Sequence, residues 1–287
     1  MKAIVLFSGG LDSRLALKIM QEQKIPVLAV NYNFPFGSGC CNTDCSFNFT
    51  QKQGLKLKVF DCTKGKLFQE YLKVIRNPKF GRGTSMNPCI DCRMFILNHA
   101  KKLLKKDDFI VTGEVLNERP MSQHRKALDI VESTLKGRIL RPLSAKLLPE
   151  TIPEKKGIVD RKKLYSINGR SRKIQIELAK KFKIDYPTPA GGCLLCEEVF
   201  GSRLKQLFKK KKITPEDIDL LKIGRHFGDI VVGRNHGENL LLRKHKGRKF
   251  ELKKEPGPTV LLQGTDVKKA KQLLLKYSKH KDTIIEL

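Results

Sequence analysis

The chain has 287 residues, long for one compact core and comfortable for a large domain joined to a small one. Its 58 Lys and Arg against 29 Asp and Glu leave a formal charge of +29, which excludes indifference to polyanions and points to nucleic acid or a phosphate-rich ligand. An apolar content of 40% excludes wholesale disorder, and no run reaches the roughly 18–20 apolar residues of a membrane span or reads as a signal peptide, so a cytoplasmic protein with no membrane partner is expected.

Lys2–Phe7 is a short apolar run ending in Ser8-Gly9-Gly10, as a buried parallel strand would be. Helical spacing follows at once in Leu11, Leu15, Leu17, Ile19 and Met20 and stops before Pro26. Val27–Tyr32 reads as a second strand, and a polar stretch of helical character precedes Leu55–Phe60, a third strand by alternation. Residues 91–106 read as a helix and Asp108–Gly113 as another buried strand. Strand, helix and strand at this spacing predict an α/β domain with a parallel sheet over residues 1–205. After residue 205 the character changes. Lys209–Lys212 ends a helix-like run, and Thr214-Pro215 marks a fresh helix start. Strand-like pieces follow at Asp229–Val232, Asn239–Leu242 and Thr259–Leu262, with a last helix over 266–279. Residues 206–287 are therefore expected to form a small, strongly basic α+β domain.

Ser8-Gly9-Gly10-Leu11-Asp12-Ser13 sits between the first strand and the first helix, where backbone N–H groups and the helix dipole converge on an anion. Adjacent glycines allow a tight turn and close approach of phosphate oxygens. The hydroxyls of Ser8 and Ser13 can donate, whereas Asp12 suits a Mg²⁺ ion. No Lys-Ser/Thr follows the glycines, so this is not a Walker loop; an ordinary glycine turn is the bland alternative. The eight cysteines, with no export signal, point to metal or catalysis rather than disulfides. Two spaced pairs stand out, Cys89-x-x-Cys92 and Cys193-x-x-Cys196. Cys40, Cys41 and Cys45 form a looser cluster read as small buried thiols, and Cys62 reads as core.

Ser-Gly-Gly-x-Asp-Ser after an N-terminal strand resembles the pyrophosphate loop of the N-type ATP pyrophosphatases, or PP-loop enzymes. The resemblance implies ATP as cofactor, cleaved between the α- and β-phosphates to adenylylate a substrate oxygen. Ser8, Gly9, Gly10, Asp12, Ser13 and Gly113 would hold the nucleotide, with Asp12 catalytic. Asn87-Pro88-Cys89-x-x-Cys92 and Gly191-Gly192-Cys193-Leu194-Leu195-Cys196 are similar to the two cysteine segments of tRNA 2-thiouridylases, which makes Cys92 and Cys193 catalytic. Cys89 stands where those enzymes carry Asp. That departure resembles cluster-containing tRNA thiolases and implies Cys89, Cys92 and Cys193 as ligands of a [4Fe–4S] cluster. A persulfide pair or a structural zinc site are the alternatives. Thr112-Gly113-Glu114, Arg119–Gln123, Leu140–Leu143 and Gly169–Lys173 are similar to segments of 4-thiouridine and 2-thiouridine synthases, and the likeness spans roughly residues 1–205.

Arg119 and Gln123, at the end of the fourth expected strand, and Arg170 and Arg172, ahead of a helix, are candidate contacts to tRNA or nucleotide. The tail segment Ile230–Asn239 with Gly257–Val260 resembles the RNA-binding domain of NFACT ribosome-quality-control proteins, which implies tRNA contact near Arg234 and Asn235. The function so implied is an ATP-dependent tRNA sulfurtransferase, with 4-thiouridine preferred over 2-thiouridine. With no rhodanese-like segment, sulfur is expected as sulfide or from an external persulfide donor such as a cysteine desulfurase. A PP-loop ligase or amidotransferase acting on a small acid, and a non-catalytic ATP-sensing RNA-binding protein, are the rivals.

Overall fold

The computed structural model describes residues 1–37, 43–188 and 192–287. It divides into two compact units, Met1–Glu198 and Val199–Leu287. In the first unit the elements run β1 (Ala3–Leu6), α1 (Leu11–Glu22), β2 (Val27–Asn33), α2 (Thr43–Lys52), β3 (Lys56–Asp61), α3 (Gly65–Arg76), α4 (Cys89–Lys101), β4 (Phe109–Thr112), α5 (Arg125–Leu135), β5 (Ile139–Leu140), α6 (Ile152–Lys155) and α7 (Lys173–Lys181). The five strands form one sheet in the order β3-β2-β1-β4-β5, and every neighbouring pair is parallel. This is the α/β fold expected from the sequence.

Uninterrupted apolar runs explain the centre of the sheet. Ala3, Ile4 and Val5 of β1 and Ile110 and Val111 of β4 are wholly buried, as strands covered on both faces must be. Leu15, Ala16, Ile19 and Met20 of α1 pack into the same core as Val5, Val111 and Leu140; each large side chain so buried contributes about 1.5–3 kcal/mol. The chain leaves β1 for β2 on one side, and β4 lies on the other. The sheet therefore changes direction at β1, and open α/β sheets bind ligands at the carboxyl ends of strands beside such a point.

The second unit contains α8 (Glu198–Leu207, whose first residue belongs to the first unit), α9 (Pro215–Leu221), β6 (Arg225–Phe227), β7 (Ile230–Val232), α10 (His236–Lys244), β8 (Arg248–Leu252), β9 (Val260–Leu262), α11 (Val267–Tyr277) and β10 (Ile284–Glu286). Its sheet, β10-β8-β9-β7-β6, is antiparallel throughout. Thr214 opens α9 through a capping box with Asp217, as its sequence signals. The strand expected at Asn239–Leu242 is instead part of α10. Three successive leucines carry no period of their own, and the Asn235 side chain caps the helix by accepting from Glu238 N–H at 3.0 Å. Leu242 of α10 packs with Val231 and Leu261, whereas Leu274 of α11 packs with Val232, Phe250 and Leu262.

Candidate active site

The turn between β1 and α1 leaves the start of the helix open. Gly9 adopts φ +83°, a conformation that costs an L-residue roughly 1–2 kcal/mol. Gly10 takes the N-cap position of α1 with no side-chain cap, so the N-cap residue itself leaves the first amides of the helix uncapped. Ser13 Oγ donates to Gly10 O at 2.9 Å, and Ser8 Oγ lies 3.3 Å from it. Buried Arg14 fastens the turn from behind, donating through Nε to Gly9 O at 2.7 Å and through Nη1 to Asp185 O at 2.6 Å. Its guanidinium lies over the Phe49 ring at 4.4 Å. Gly113, at the end of β4, has a further reason to be glycine: a Cβ there would stand 2.5 Å from Asp12 C and 2.6 Å from Ser13 N.

In front of this turn opens a cavity of about 270 Å³. Ser8, Gly10, Asp12 and Ser13 line one side of it, Gly113, Arg119, Gln123 and Arg172 another, and Cys89, Cys92 and Cys193 a third. Residues nearly two hundred positions apart in sequence thus share one chamber. The two cysteine segments are clasped directly. Met86 N–H donates to Leu195 O at 2.9 Å, and Ser85 Oγ to Glu197 O at 3.2 Å. Cys92 follows Cys89 by one turn of α4, which directs both toward the same cavity.

The carboxylates fall into two kinds. Glu114 is buried, and burial alone would raise its pKa; Arg93 at 2.9 Å and Arg141 at 3.0 Å outweigh this and hold it below the usual range. It is a structural anion that holds Arg93 at the cavity edge. Burial pushes Asp12 up, partly offset by Arg172 and Arg119. Glu118 is raised by burial and then by Asp12, against the pull of Arg172, whose Nε is 3.5 Å from Glu118 Oε1. Sequence reasoning missed Glu118 because its place depends on Asn117 turning the chain at φ +61°. Asp12 Oδ1, Glu118 Oε2 and Gln123 Oε1 are buried oxygens without a hydrogen-bond partner. Two carboxylates and an amide oxygen beside a phosphate cradle are the donor set Mg²⁺ prefers, so the residues fit that ion.

Burial favours the neutral form of Cys92 and Cys193. Burial pushes Cys92 up to about 12; the Tyr71 hydroxyl, 3.3 Å from its Sγ, opposes this, while Cys193 and Cys89 add to it. Burial likewise brings Cys193 to about 11. Each sulfur has its own protein partner: Tyr71 Oη for Cys92, Asn87 Nδ2 for Cys89 at 3.4 Å, and Phe36 O for Cys193 at 3.9 Å. Among the described residues no group of three or more His, Cys, Asp and Glu is arranged to hold a metal ion. The residue types suit a [4Fe–4S] cluster or zinc; as placed, the side chains do not form either centre. Tyr71, on the buried face of α3, carries no sequence signal of its contact with Cys92.

The other candidates lie elsewhere. Gly9 shapes the turn without lining the cavity, and Arg170 is exposed outside it. Cys45 accepts from Arg14 Nη2 at 3.0 Å, and Cys62 is buried. Cys40, Cys41 and Gly191 fall outside the described residues. In the second unit Arg234 pairs with Glu238 while Asn235 caps α10, so both shape the loop before that helix.

No protein-family model matches the sequence, and no curated protein matches it. Among solved structures the chain is similar to a predicted subunit of a tRNA methyltransferase from Methanocaldococcus jannaschii, at 15% identity over 76% of this chain and 91% of that one, TM-score 0.40. It is also similar to the U34-tRNA thiolase NcsA from Methanococcus maripaludis with its [4Fe–4S] cluster, at 19% identity over 77% of this chain and 73% of that one, TM-score 0.36. Both likenesses are too distant to carry function to this chain.

Proposed function

We propose that the chain is an ATP-dependent tRNA sulfurtransferase that adenylylates a uridine carbonyl oxygen, 4-thiouridine being the favoured product, and replaces that oxygen with sulfur. One observation carries this reading: a phosphate cradle and three thiols line the same cavity. A uracil oxygen is a poor leaving group, and converting it to AMP makes it a good one. The free amides of α1 and the Ser8 and Ser13 hydroxyls bind the phosphates. Arg119 and Arg172, which sequence reasoning offered as RNA contacts, stand beside Asp12 where they can share in neutralising pyrophosphate. Asp12, Glu118 and Gln123 would hold Mg²⁺, which supplies charge neutralisation as the pyrophosphate leaves.

Neutral thiols are poor nucleophiles. A persulfide on Cys92 is more acidic and presents a terminal sulfur to the activated carbon. That sulfur bonds to the carbon as AMP leaves; Cys193, losing its proton, then attacks the Cys92 sulfur, which frees the thiocarbonyl and leaves a Cys92–Cys193 disulfide for an external dithiol to reduce. Tyr71, hydrogen-bonded to Cys92, orients that sulfur. A cluster would require Cys89, Cys92 and Cys193 to leave their present partners, and iron analysis of anaerobically purified protein separates the two forms. The second unit, an NFACT-like RNA-binding domain in this reading, supplies tRNA affinity through its positive charge. The test is pyrophosphate release on adding tRNA to protein and ATP, followed by nucleoside mass spectrometry. Release that ignores tRNA, or C92A protein that still thiolates it, sinks the reading.

A further inference from the structure

Displacing an adenylate takes two thiols, yet this cavity has three, and a fourth lies just outside it. Cys193 and Cys196 bracket a single 3-10 turn, Leu194–Cys196, closed by Cys196 N–H donating to Cys193 O at 2.8 Å. Leu195 between them is 1% exposed, and its carbonyl receives Met86 N–H. A buried leucine and a cross-loop hydrogen bond therefore fix the turn, so that Cys193 lines the cavity while Cys196 is exposed. Cys89 borders both. It lines the cavity, and it lies within electrostatic reach of Cys196 as well as of Cys193. Cys92, the most deeply held, senses Cys193 and Cys89. Of these four thiols Cys196 is exposed, whereas Cys89, Cys92 and Cys193 are half-buried.

We propose that Cys196 is the gateway of a sulfur relay: it takes the sulfane sulfur of a protein-borne cysteine persulfide and passes it to Cys89, inside the cavity. This rests on reading the cavity as a sulfur-insertion site. In the first step the Cys196 thiolate attacks the terminal sulfur of the donor R–S–SH. The donor S–S bond breaks, Cys196–S–SH forms, and R–S⁻ leaves. In the second the Cys89 thiolate attacks the terminal sulfur on Cys196, giving Cys89–S–SH and regenerating the Cys196 thiolate; a third exchange of the same kind moves that sulfur to Cys92, which lines the same cavity, and frees the Cys89 thiolate. Each step exchanges one S–S bond for another, so no external oxidant or reductant is consumed. A bulky donor can meet the exposed Cys196, whereas Cys92 is half-buried within the cavity lining.

The test charges the full chain with a cysteine desulfurase carrying [³⁵S]cysteine-derived persulfide, without ATP or tRNA, and maps labelled cysteines by peptide mass spectrometry after alkylation. In C89S the label should stall on Cys196. In C196S, a mild change at an exposed position, labelling of Cys89, Cys92 and Cys193 should fall about tenfold or more. C196A repeats the measurement with no hydroxyl in place of the thiol. Labelling of the inner cysteines in both variants within about twofold of the unaltered chain overturns the relay. Loss of bound iron in C196S also overturns it, by making Cys196 a cluster ligand. Failure of the proposed reaction looks different: the unaltered chain would charge through Cys196 yet yield no thiolated uridine when the charged protein is given ATP, tRNA and a dithiol.

Discussion

Replacing Gly113 by alanine tests whether the end of β4 sets the position of the phosphate cradle. The new methyl would stand 2.5 Å from Asp12 C, 2.6 Å from Ser13 N and 2.7 Å from Asp12 O, where ordinary contact begins near 3.4 Å. All three atoms are backbone in the first turn of α1, so no flexible side chain can swing aside. The helix start must retreat by nearly an ångström, or β4 must. Overpacking of this kind costs about 1–3 kcal/mol, which for a chain of this size lowers the melting temperature by roughly 2–12 °C. The same displacement takes the amides off their phosphate targets and should weaken ATP affinity about tenfold or more. Gly192→Ala is the matched control, because nothing lies within 4 Å of a Cβ there, and it should change stability by less than about 0.5 kcal/mol. Thermal melts and calorimetric titration with a non-hydrolysable ATP analogue read both quantities. Unchanged melting and affinity in G113A would refute the claim that close packing of β4 on α1 positions the cradle.

Folded Cys92 and Cys193 titrate near 12 and 11, above the roughly 8.5 of an unfolded thiol. Their contribution to stability is therefore fully present below about pH 8.5 and lost as the pH rises through their folded values. Urea midpoints should fall more steeply with alkali in the unaltered protein than in the C92S/C193S double variant, and iodoacetamide labelling of both thiols should keep rising past pH 9; a labelling plateau near pH 8.5 would contradict the burial assigned to them. Glu114→Gln removes the buried anion between Arg93 and Arg141 and should cost about 3–5 kcal/mol in urea unfolding; a loss under about 1 kcal/mol would show the arginines find other partners. Affinity for tRNA should drop steeply between low and moderate salt as phosphate contacts release counterions, and filter binding with a flat salt response would remove RNA from the account.

The phosphate turn was legible because its signals are local: an apolar run, two glycines and a helical period lie side by side in fourteen residues or so, and the structure keeps them together. The gathering of Cys89, Cys92 and Cys193 could be suspected only from resemblance, since spacing along a chain says nothing of which loops a fold brings face to face. Glu118 was hidden by a left-handed asparagine, a conformation most residues avoid and no periodicity announces. Tyr71 was hidden by its own hydrophobicity: a buried aromatic on an amphipathic helix looks the same whether or not its hydroxyl meets a thiol. The misassigned Asn239–Leu242 segment shows a signal present but passed over, because Asn235-x-x-Glu238 is a helix-start signature standing just ahead of the leucines.

Arg14 grips the carbonyl of Gly9 with one nitrogen and that of Asp185 with another. The turn at Gly9 and the chain at Asp185 therefore hang from a single rigid fork. In the proposed reaction, a shift of the turn as pyrophosphate leaves would be felt through that fork at Asp185, coupling the activation end of the site to the far end of the chain that packs on it.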